Sequence, residues 1–188
     1  MDAVERWFDT GFSRLHPLLQ SLHRFGGTLQ GNVRIQYGRG VAGWLGRRMA
    51  GRMGLPRQAG EIALHVDIRS DAHALHWDRR FGDSTWMRSR FHPVGTWPRG
   101  YCVETVGALR IALHVDVADG AWRWQPMRAW IHGIRVPMVL MPRVDASKRI
   151  EGGHYVFEVR VTLPMLGLLF AYGGRLRAGT AITRAGAD

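Results

Sequence analysis

Lysine and cysteine are the residues that this 188-residue sequence uses least. Lys148 is the only lysine among 26 basic residues, so arginine supplies nearly all of the positive charge. Cys102 is the only cysteine, which excludes an internal disulfide and a cysteine-based zinc site. The longest strongly apolar run, residues 163–172, falls well short of the roughly 20 residues that a membrane-spanning helix needs.

The beginning of the sequence also lacks the apolar segment of a signal peptide, because Asp2 and Glu5 interrupt it. We therefore expect a soluble, cytoplasmic protein. The length suits a single domain over residues 1–188, with a core at about 13–177. The small and polar residues 178–188 are expected to form a frayed tail.

Acidic residues are scarce as well, and the formal net charge is +11. Residues 10–60 contain eight arginines and no acidic residue. A basic surface favours anionic partners such as nucleic acid, phosphorylated ligands or an anionic membrane, although a GC-rich genome also replaces lysine by arginine. The candidate contacts with an anionic surface are Arg39, Arg47, Arg48 and Arg52.

The apolar pattern predicts two or three N-terminal helices followed by about eight strands. Pro17 suits the first turn of a helix that ends at residues 26–27, and a second pattern of helical spacing covers residues 41–53. From residue 60 onward apolar residues alternate with polar ones, which indicates strands. We predict an α+β fold with a strongly curved, mostly antiparallel sheet, either a half-barrel or a barrel. Such a sheet can leave an apolar cavity at its mouth.

The helix predicted over residues 41–53 has two interpretations. Val41, Trp44, Leu45, Met49 and Met53 recur at helical spacing, and they predict its buried face. With arginines beside this face, the helix could lie on an anionic membrane. Alternatively it covers one end of the sheet while its arginines extend to water.

Residues 38–43 match the dinucleotide-binding pattern G-x-G-x-x-G between a strand and a helix. The strand before them alternates, whereas a buried parallel strand is almost continuously apolar. No further strand–helix–strand units follow residue 60. Dinucleotide binding is therefore not expected.

The best candidate site lies in two neighbouring strands. A period of two places Trp77, Arg79 and Phe81 on one face, and it groups Glu104 with Cys102. A charged side chain on an apolar face needs a partner, a ligand or access to water. Two hypotheses are open: Arg79 forms a structural ion pair with Glu104, or it binds the anionic head of an apolar ligand between the two aromatic rings.

Several short motifs in a fixed order indicate a family. They are L-H-P-L, W-x-R-x-F-G, E-T-V-G, a D-G hairpin and V-T-L-P-M-L-G-L-L-F-A-Y-G-G-R-L, and together they extend over residues 13–177. The sequence resembles a bacterial domain of unknown function that occurs alone or behind a saccharopine-dehydrogenase-like Rossmann domain. The resemblance implies that any catalytic partner would be that separate oxidoreductase domain.

These observations predict a non-enzymatic protein that binds a small amphipathic or anionic apolar ligand in the mouth of the sheet. The candidate ligand-binding residues are Trp77, Arg79, Phe81, Glu104 and Tyr172. No catalytic pair, metal site or cofactor is predicted. The alternatives are an accessory module for a Rossmann-type oxidoreductase, and binding to nucleic acid or an anionic membrane through residues 34–57. Nucleic acid is the less favoured partner because no nucleic-acid-binding motif is present.

Overall fold

The computed structural model describes residues 2–179. The helices are α1 (Ala3–Phe8), α2 (Pro17–Phe25) and α3 (Gly40–Met53), with short 3₁₀ helices at Asp9–Arg14 and Met138–Leu140. The strands are β1 (Gly27–Tyr37), β2 (Gly60–Ser70), β3 (Leu75–Phe81), β4 (Thr85–Val94), β5 (Tyr101–Val106), β6 (Leu109–Ala118), β7 (Ala121–Ile131), β8 (Ile134–Val136), β9 (Arg143–Glu151), β10 (His154–Leu163) and β11 (Gly167–Gly179).

The strands form an antiparallel barrel that closes on itself. Strands β1 to β7 pair in sequence order, β7 then pairs with β9, and β9, β10 and β11 lead back to β1. The short strand β8 pairs with the far half of β7 and lies outside the closed ring. The expected α+β class and antiparallel pairing are confirmed. The expected count of about eight strands is wrong, because ten strands complete the barrel.

Side chains alternate between the barrel interior and its outer surface, as the period of a strand requires. In β3 the residues Leu75, Trp77, Arg79 and Phe81 are all buried, whereas the residues between them are partly exposed. The face predicted for this strand is therefore confirmed. Burying one large apolar side chain contributes about 1.5–3 kcal/mol, so the interior is the main source of stability.

Helices α1 and α2 close one end of the barrel, which we call the α2 end. His16 N–H donates to the carbonyl of Gly120 in the β6–β7 turn, and this bond holds the start of α2 against the barrel. Phe8 packs edge-on against Trp122, with ring centroids 5.1 Å apart. His23 is completely buried, and its ring lies 4.7 Å from that of Trp122. The α2 end is thus sealed by aromatic packing.

Helix α3 lies at the opposite end, which we call the α3 end. A Cβ atom on Gly46 would lie 2.1 Å from the Leu169 carbonyl oxygen, so the helix backbone approaches β11 closely. The buried face of α3 consists of Ala42, Gly43, Gly46 and Ala50. The predicted buried face is therefore wrong at its start, since Val41 and Trp44 are 67% and 64% exposed. Small residues form the buried face because they let the helix approach β11 closely.

Four further segments surround the α3 end. They are the β5–β6 turn at residues 107–108, the β7–β8 turn at 132–133, the segment 137–142 and the β10–β11 turn at 164–166. His132 N–H donates to the Ala108 carbonyl, which joins the first two turns. A Cβ atom on Gly107 would lie 3.9 Å from the carbonyl oxygen of Arg52 in α3, so the β5–β6 turn lies near this helix.

Strand β7 changes its inward phase along its length, because Trp122 and Trp124 are buried whereas Met127 is 42% exposed. A register shift between Ala112 and Leu113 in the β6–β7 pairing changes the phase of β7 at that point. The predicted frayed tail began at residue 178, but β11 continues to Gly179, and residues 180–188 lie outside the described part of the chain.

Candidate functional site

A cavity of about 130 Å³ lies inside the barrel. Its walls are mainly apolar, and Met49, Met53 and Met141 line it from the α3 end. The polar side chains among its lining residues are Arg79, Glu104, Ser147, Lys148, Tyr155 and Tyr172. An apolar cavity with a few convergent polar groups is the usual form of a small-molecule site.

Arg79 projects into this cavity from β3. Its Nη1 donates a hydrogen bond to Ser89 Oγ at 2.8 Å, and its guanidinium lies 5.3 Å from the centre of the Trp77 ring. Ser89 pairs with Trp77 across β3 and β4, which places its hydroxyl beside the arginine. One polar side-chain contact leaves most of the five guanidinium donors available for an anion.

Lys148 reaches the same cavity from β9. Val144, Ala146 and Ile150 share its inward phase, and the lysine itself is only 8% exposed. Its Nζ lies 4.0 Å from the centre of the Trp77 ring, 5.1 Å from Trp124 and 5.2 Å from Trp122. The amine has no hydrogen-bond partner among residues 2–179. Four aromatic rings enclose it, because Phe91 lies 5.8 Å away.

Burial dominates the electrostatics of the interior. It lowers the pKa of Lys148 from 10.5 to about 7, and the charge of Arg79 lowers this pKa further while Glu104 opposes the shift. Burial also lowers the pKa of His23 to about 3, with Lys148 acting in the same direction. Burial raises the pKa of the Cys102 thiol to about 12, because the charged form of a thiol is the thiolate. The imidazole and the thiol are therefore neutral at neutral pH.

Further polar atoms around Lys148 have no hydrogen-bond partner within residues 2–179. They are His23 Nε2, Trp77 Nε1, Trp122 Nε1 and the Tyr155 hydroxyl. An unpaired buried polar group costs about 1–3 kcal/mol, so a cluster of them is unusual in a part of the protein that serves packing alone.

The predicted ion pair between Arg79 and Glu104 does not form. Both side chains line the cavity, but no salt bridge within 4 Å joins them among the ion pairs of residues 2–179. The interior thus contains an arginine and a lysine together with one carboxyl group. The first of the two hypotheses for Arg79 is wrong in this respect.

The structure brings most of the predicted ligand-binding residues together. Trp77, Arg79, Glu104 and Tyr172 line one cavity, and Phe81 packs edge-on against Tyr172 at 6.1 Å. Lys148 is the residue that the sequence analysis missed as part of the site. Its inward phase in β9 and its status as the only lysine were the available signals.

The arginines predicted to contact an anionic surface are solvent-exposed. Arg39 precedes α3, and Arg47, Arg48 and Arg52 lie on its outer side. Exposed apolar side chains surround the same end of the barrel, and the most exposed of them are Val41, Trp44, Ile134, Val139, Leu140 and Met165. The α3 end therefore combines apolar and cationic groups.

The G-x-G-x-x-G segment serves packing in this fold. A Cβ atom on Gly38 would lie 1.8 Å from the Leu168 carbonyl oxygen, and one on Gly43 would lie 2.1 Å from that of Gly38. Strand β1 is antiparallel to both of its neighbours, so the parallel sheet of a dinucleotide-binding domain does not form around it.

Residues 2–179 contain neither a cluster of metal ligands nor a membrane-spanning helix. No group of three or more histidine, cysteine, aspartate or glutamate side chains is placed to hold a metal ion there. No helix in the same range is both long and apolar enough to cross a membrane.

The fold and the cavity define a closed antiparallel β-barrel domain with helices at both ends and polar groups inside. The model of a domain of unknown function, DUF4166, matches residues 15–176. The chain belongs to this family. No curated protein and no solved structure matched the chain in the other two comparisons.

Proposed function

We propose that the barrel binds a small amphipathic molecule whose anionic or polar head meets Arg79 inside the cavity. The observation that carries this proposal is a buried apolar cavity that contains an arginine, and no carboxylate of residues 2–179 forms a salt bridge with it. Desolvating a charge is costly unless a partner compensates it, and a bound anion is such a partner. Guanidinium also suits a carboxylate or phosphate in a bidentate geometry.

The size of the cavity restricts the ligand. A dry protein cavity of about 150 Å³ accepts a molecule as small as benzene, and the volume here is about 130 Å³. We therefore expect a compact ligand, or a longer one whose apolar tail passes Met49, Met53 and Met141 and leaves the cavity at the α3 end. Methionine side chains are flexible and adapt to such a tail.

The first test is native mass spectrometry of the purified protein, followed by extraction of any retained molecule. The second test is calorimetric titration with sodium decanoate and with decan-1-ol, which differ in the charge of the head. We expect Arg79→Met to weaken decanoate binding at least tenfold and to change decanol binding little. Arg80→Met is the matched control, because Arg80 points outward from the next position of β3.

Two results of the titration would contradict the proposal. The first is an Arg79→Met variant that binds decanoate as the wild type does. The second is an equal loss in Arg79→Met and Arg80→Met, which would indicate an effect of net charge instead of a contact inside the cavity.

A second candidate function is docking of the α3 end on an anionic membrane. Residues 38–58 and 126–144 contribute Arg39, Arg47, Arg48, Arg52, Arg57, Arg128, Arg135 and Arg143 and contain no acidic residue. Apolar side chains flanked by arginines suit the boundary between headgroups and acyl chains. Docking would place the α3 end against the source of an amphipathic ligand.

Vesicle sedimentation tests this second function. We expect binding to phosphatidylserine-containing vesicles that weakens with added salt, and little binding to pure phosphatidylcholine vesicles. Trp44→Ser should reduce binding, whereas Phe25→Ser should not, because Phe25 is 70% exposed in α2 at the other end of the barrel. Equal binding to both vesicle types, or equal loss in both variants, would contradict docking through the α3 end.

The role of an accessory module beside a Rossmann-type oxidoreductase rests on the family resemblance alone. Its test is whether the purified chain forms a complex with such an enzyme encoded beside it. A complex that leaves decanoate binding unchanged would add this role to the first proposal.

A further inference from the structure

The position of the only lysine is the starting point of this inference. The chain uses arginine at every other basic position, including all the exposed ones, and Lys148 lies inside the barrel. Arginine remains charged in proteins, whereas a buried lysine can lose its proton and become a nucleophile. Lys148 is therefore an exception to the basic composition of the chain, and it lies at an interior position.

The surroundings of Lys148 provide no structural role for its charge. The faces of Trp77, Trp122 and Trp124 lie within 5.2 Å of Nζ, and Nζ makes no hydrogen bond within the described part of the chain. An ammonium ion stabilised only by aromatic faces gains about 2 kcal/mol or somewhat more when it is desolvated, which is less than the several kcal/mol that burial of the charge costs. The neutral amine is therefore strongly populated at neutral pH.

The ionisable groups around the amine come from five other elements, and they include the phenols of Tyr155 in β10 and Tyr172 in β11, whose pKa values burial raises. Arg79 in β3 disfavours a positive charge on Lys148, and Glu104 and Cys102 in β5 favour it. His23 in α2 packs against Trp77 and Trp122 and is neutral at neutral pH. Glu104 is the carboxyl group that lines the cavity with the lysine.

We propose that Lys148 forms a Schiff base with the carbonyl carbon of a small apolar aldehyde or ketone held in the barrel cavity. This proposal rests on the proposed function, since it requires that a small apolar molecule enters the cavity. Lys148 would react only with ligands that carry an aldehyde or ketone group. Arg79 would bind the polar head of a ligand without forming a covalent bond.

The reaction needs no further reagent. The neutral amine adds to the carbonyl carbon, and a proton moves from nitrogen to oxygen to give a carbinolamine. Loss of the hydroxyl group as water leaves a carbon–nitrogen double bond. The imine formed in this way is uncharged, and an uncharged imine suits the same apolar surroundings as the neutral amine.

The test uses the small number of amines in the chain. Only Lys148 and the N-terminal α-amino group can form an imine. The full-length protein is incubated at pH 7 with decanal and sodium cyanoborohydride, which reduces an imine to a stable amine. Intact mass spectrometry then counts the decyl groups, and a proteolytic digest assigns them to Lys148 or to the N-terminus.

We expect one decyl group on Lys148 in the folded protein. At pH 7 the neutral fraction of Lys148 should exceed that of an ordinary exposed lysine roughly a thousandfold, because the pKa is lowered from 10.5 to about 7, and Lys148 should therefore react faster. Arg149→Lys provides that ordinary amine, because Arg149 is the next residue of β9 and is exposed. Lys148→Met should abolish the adduct at residue 148 while circular dichroism shows an unchanged fold.

Each result distinguishes this proposal from the proposed function. If decan-1-ol and decanoate bind but Lys148 reacts no faster than the lysine of Arg149→Lys, the Schiff base is refuted and the binding site stands. If neither molecule binds and no adduct forms at Lys148, the proposed function fails as well. Labelling in urea is a further control, since unfolding should remove the advantage of Lys148 over the N-terminus.

Discussion

Replacing Lys148 by methionine should stabilise the protein and change how its stability depends on pH. The unfolded chain keeps the lysine proton up to about pH 10.5, whereas the folded chain releases it near pH 7. The unfolded state therefore binds more protons between these values, and the free energy of unfolding rises with pH across this window. Methionine is similar in length and has no charge to desolvate.

The magnitude follows from the same pKa values. A full proton difference contributes about 1.4 kcal/mol per pH unit, and about half of the folded molecules have already lost the proton at pH 7. The wild type should thus gain about 2 kcal/mol relative to Lys148→Met between pH 7 and pH 9. Below pH 7 the full penalty of burying the ammonium ion remains.

Urea denaturation of both proteins at pH 7, 8 and 9 measures this effect. The difference in unfolding free energy between wild type and variant at each pH isolates the contribution of Lys148. Cys102 changes stability with pH in the opposite direction, but it does so in both proteins and therefore cancels. The pKa of the Cys102 thiol is raised from 9.0 to about 12 in the folded state, so the unfolded state loses this proton at a lower pH than the folded state does. The free energy of unfolding therefore falls above about pH 9. A stability difference that is the same at all three pH values would refute the buried, partly neutral lysine.

Three other predictions concern packing and protonation. Gly46→Ala should cost about 1–3 kcal/mol in urea denaturation, because its Cβ atom would meet the Leu169 carbonyl oxygen, whereas Arg48→Ala on the exposed side should cost little. The free energy of unfolding of the wild type should fall as the pH drops from 6.5 toward 3, because only the unfolded state protonates His23 in this range. His23→Leu should make the free energy of unfolding depend less on pH here. An unchanged slope would contradict the buried neutral imidazole. Cys102 should resist a thiol reagent at pH 8 until urea unfolds the protein, and rapid labelling of the folded protein would contradict its burial.

Alternation of apolar and polar residues was enough to place most strands and the inward face of β3, but it did not give the number of strands, because ten complete the barrel instead of about eight. The inward position of Trp77 and Arg79 follows from a period of two, which is a property of the local chain. Helix α2 was predictable in the same way, because Pro17 and the glycines after Phe25 define its ends.

The packing face of α3 was not predictable from apolar spacing. Large residues such as Val41 and Trp44 indicated a buried face, but close approach to Leu169 in β11 requires small ones. The sequence of a helix shows only where its apolar residues lie. The distance between the helix and its neighbour decides which side chains fit between them, and that distance is a property of the tertiary structure.

The sequence by itself determined that one lysine lies among inward-facing residues of β9. Only the tertiary structure decided what surrounds it, because Trp77, Phe91 and Trp122 come from three other strands. Closure of the barrel through the pairing of β7 with β9 brings these strands around the amine. Such pairing depends on the register of residues far apart in the chain, which local periodicity does not specify.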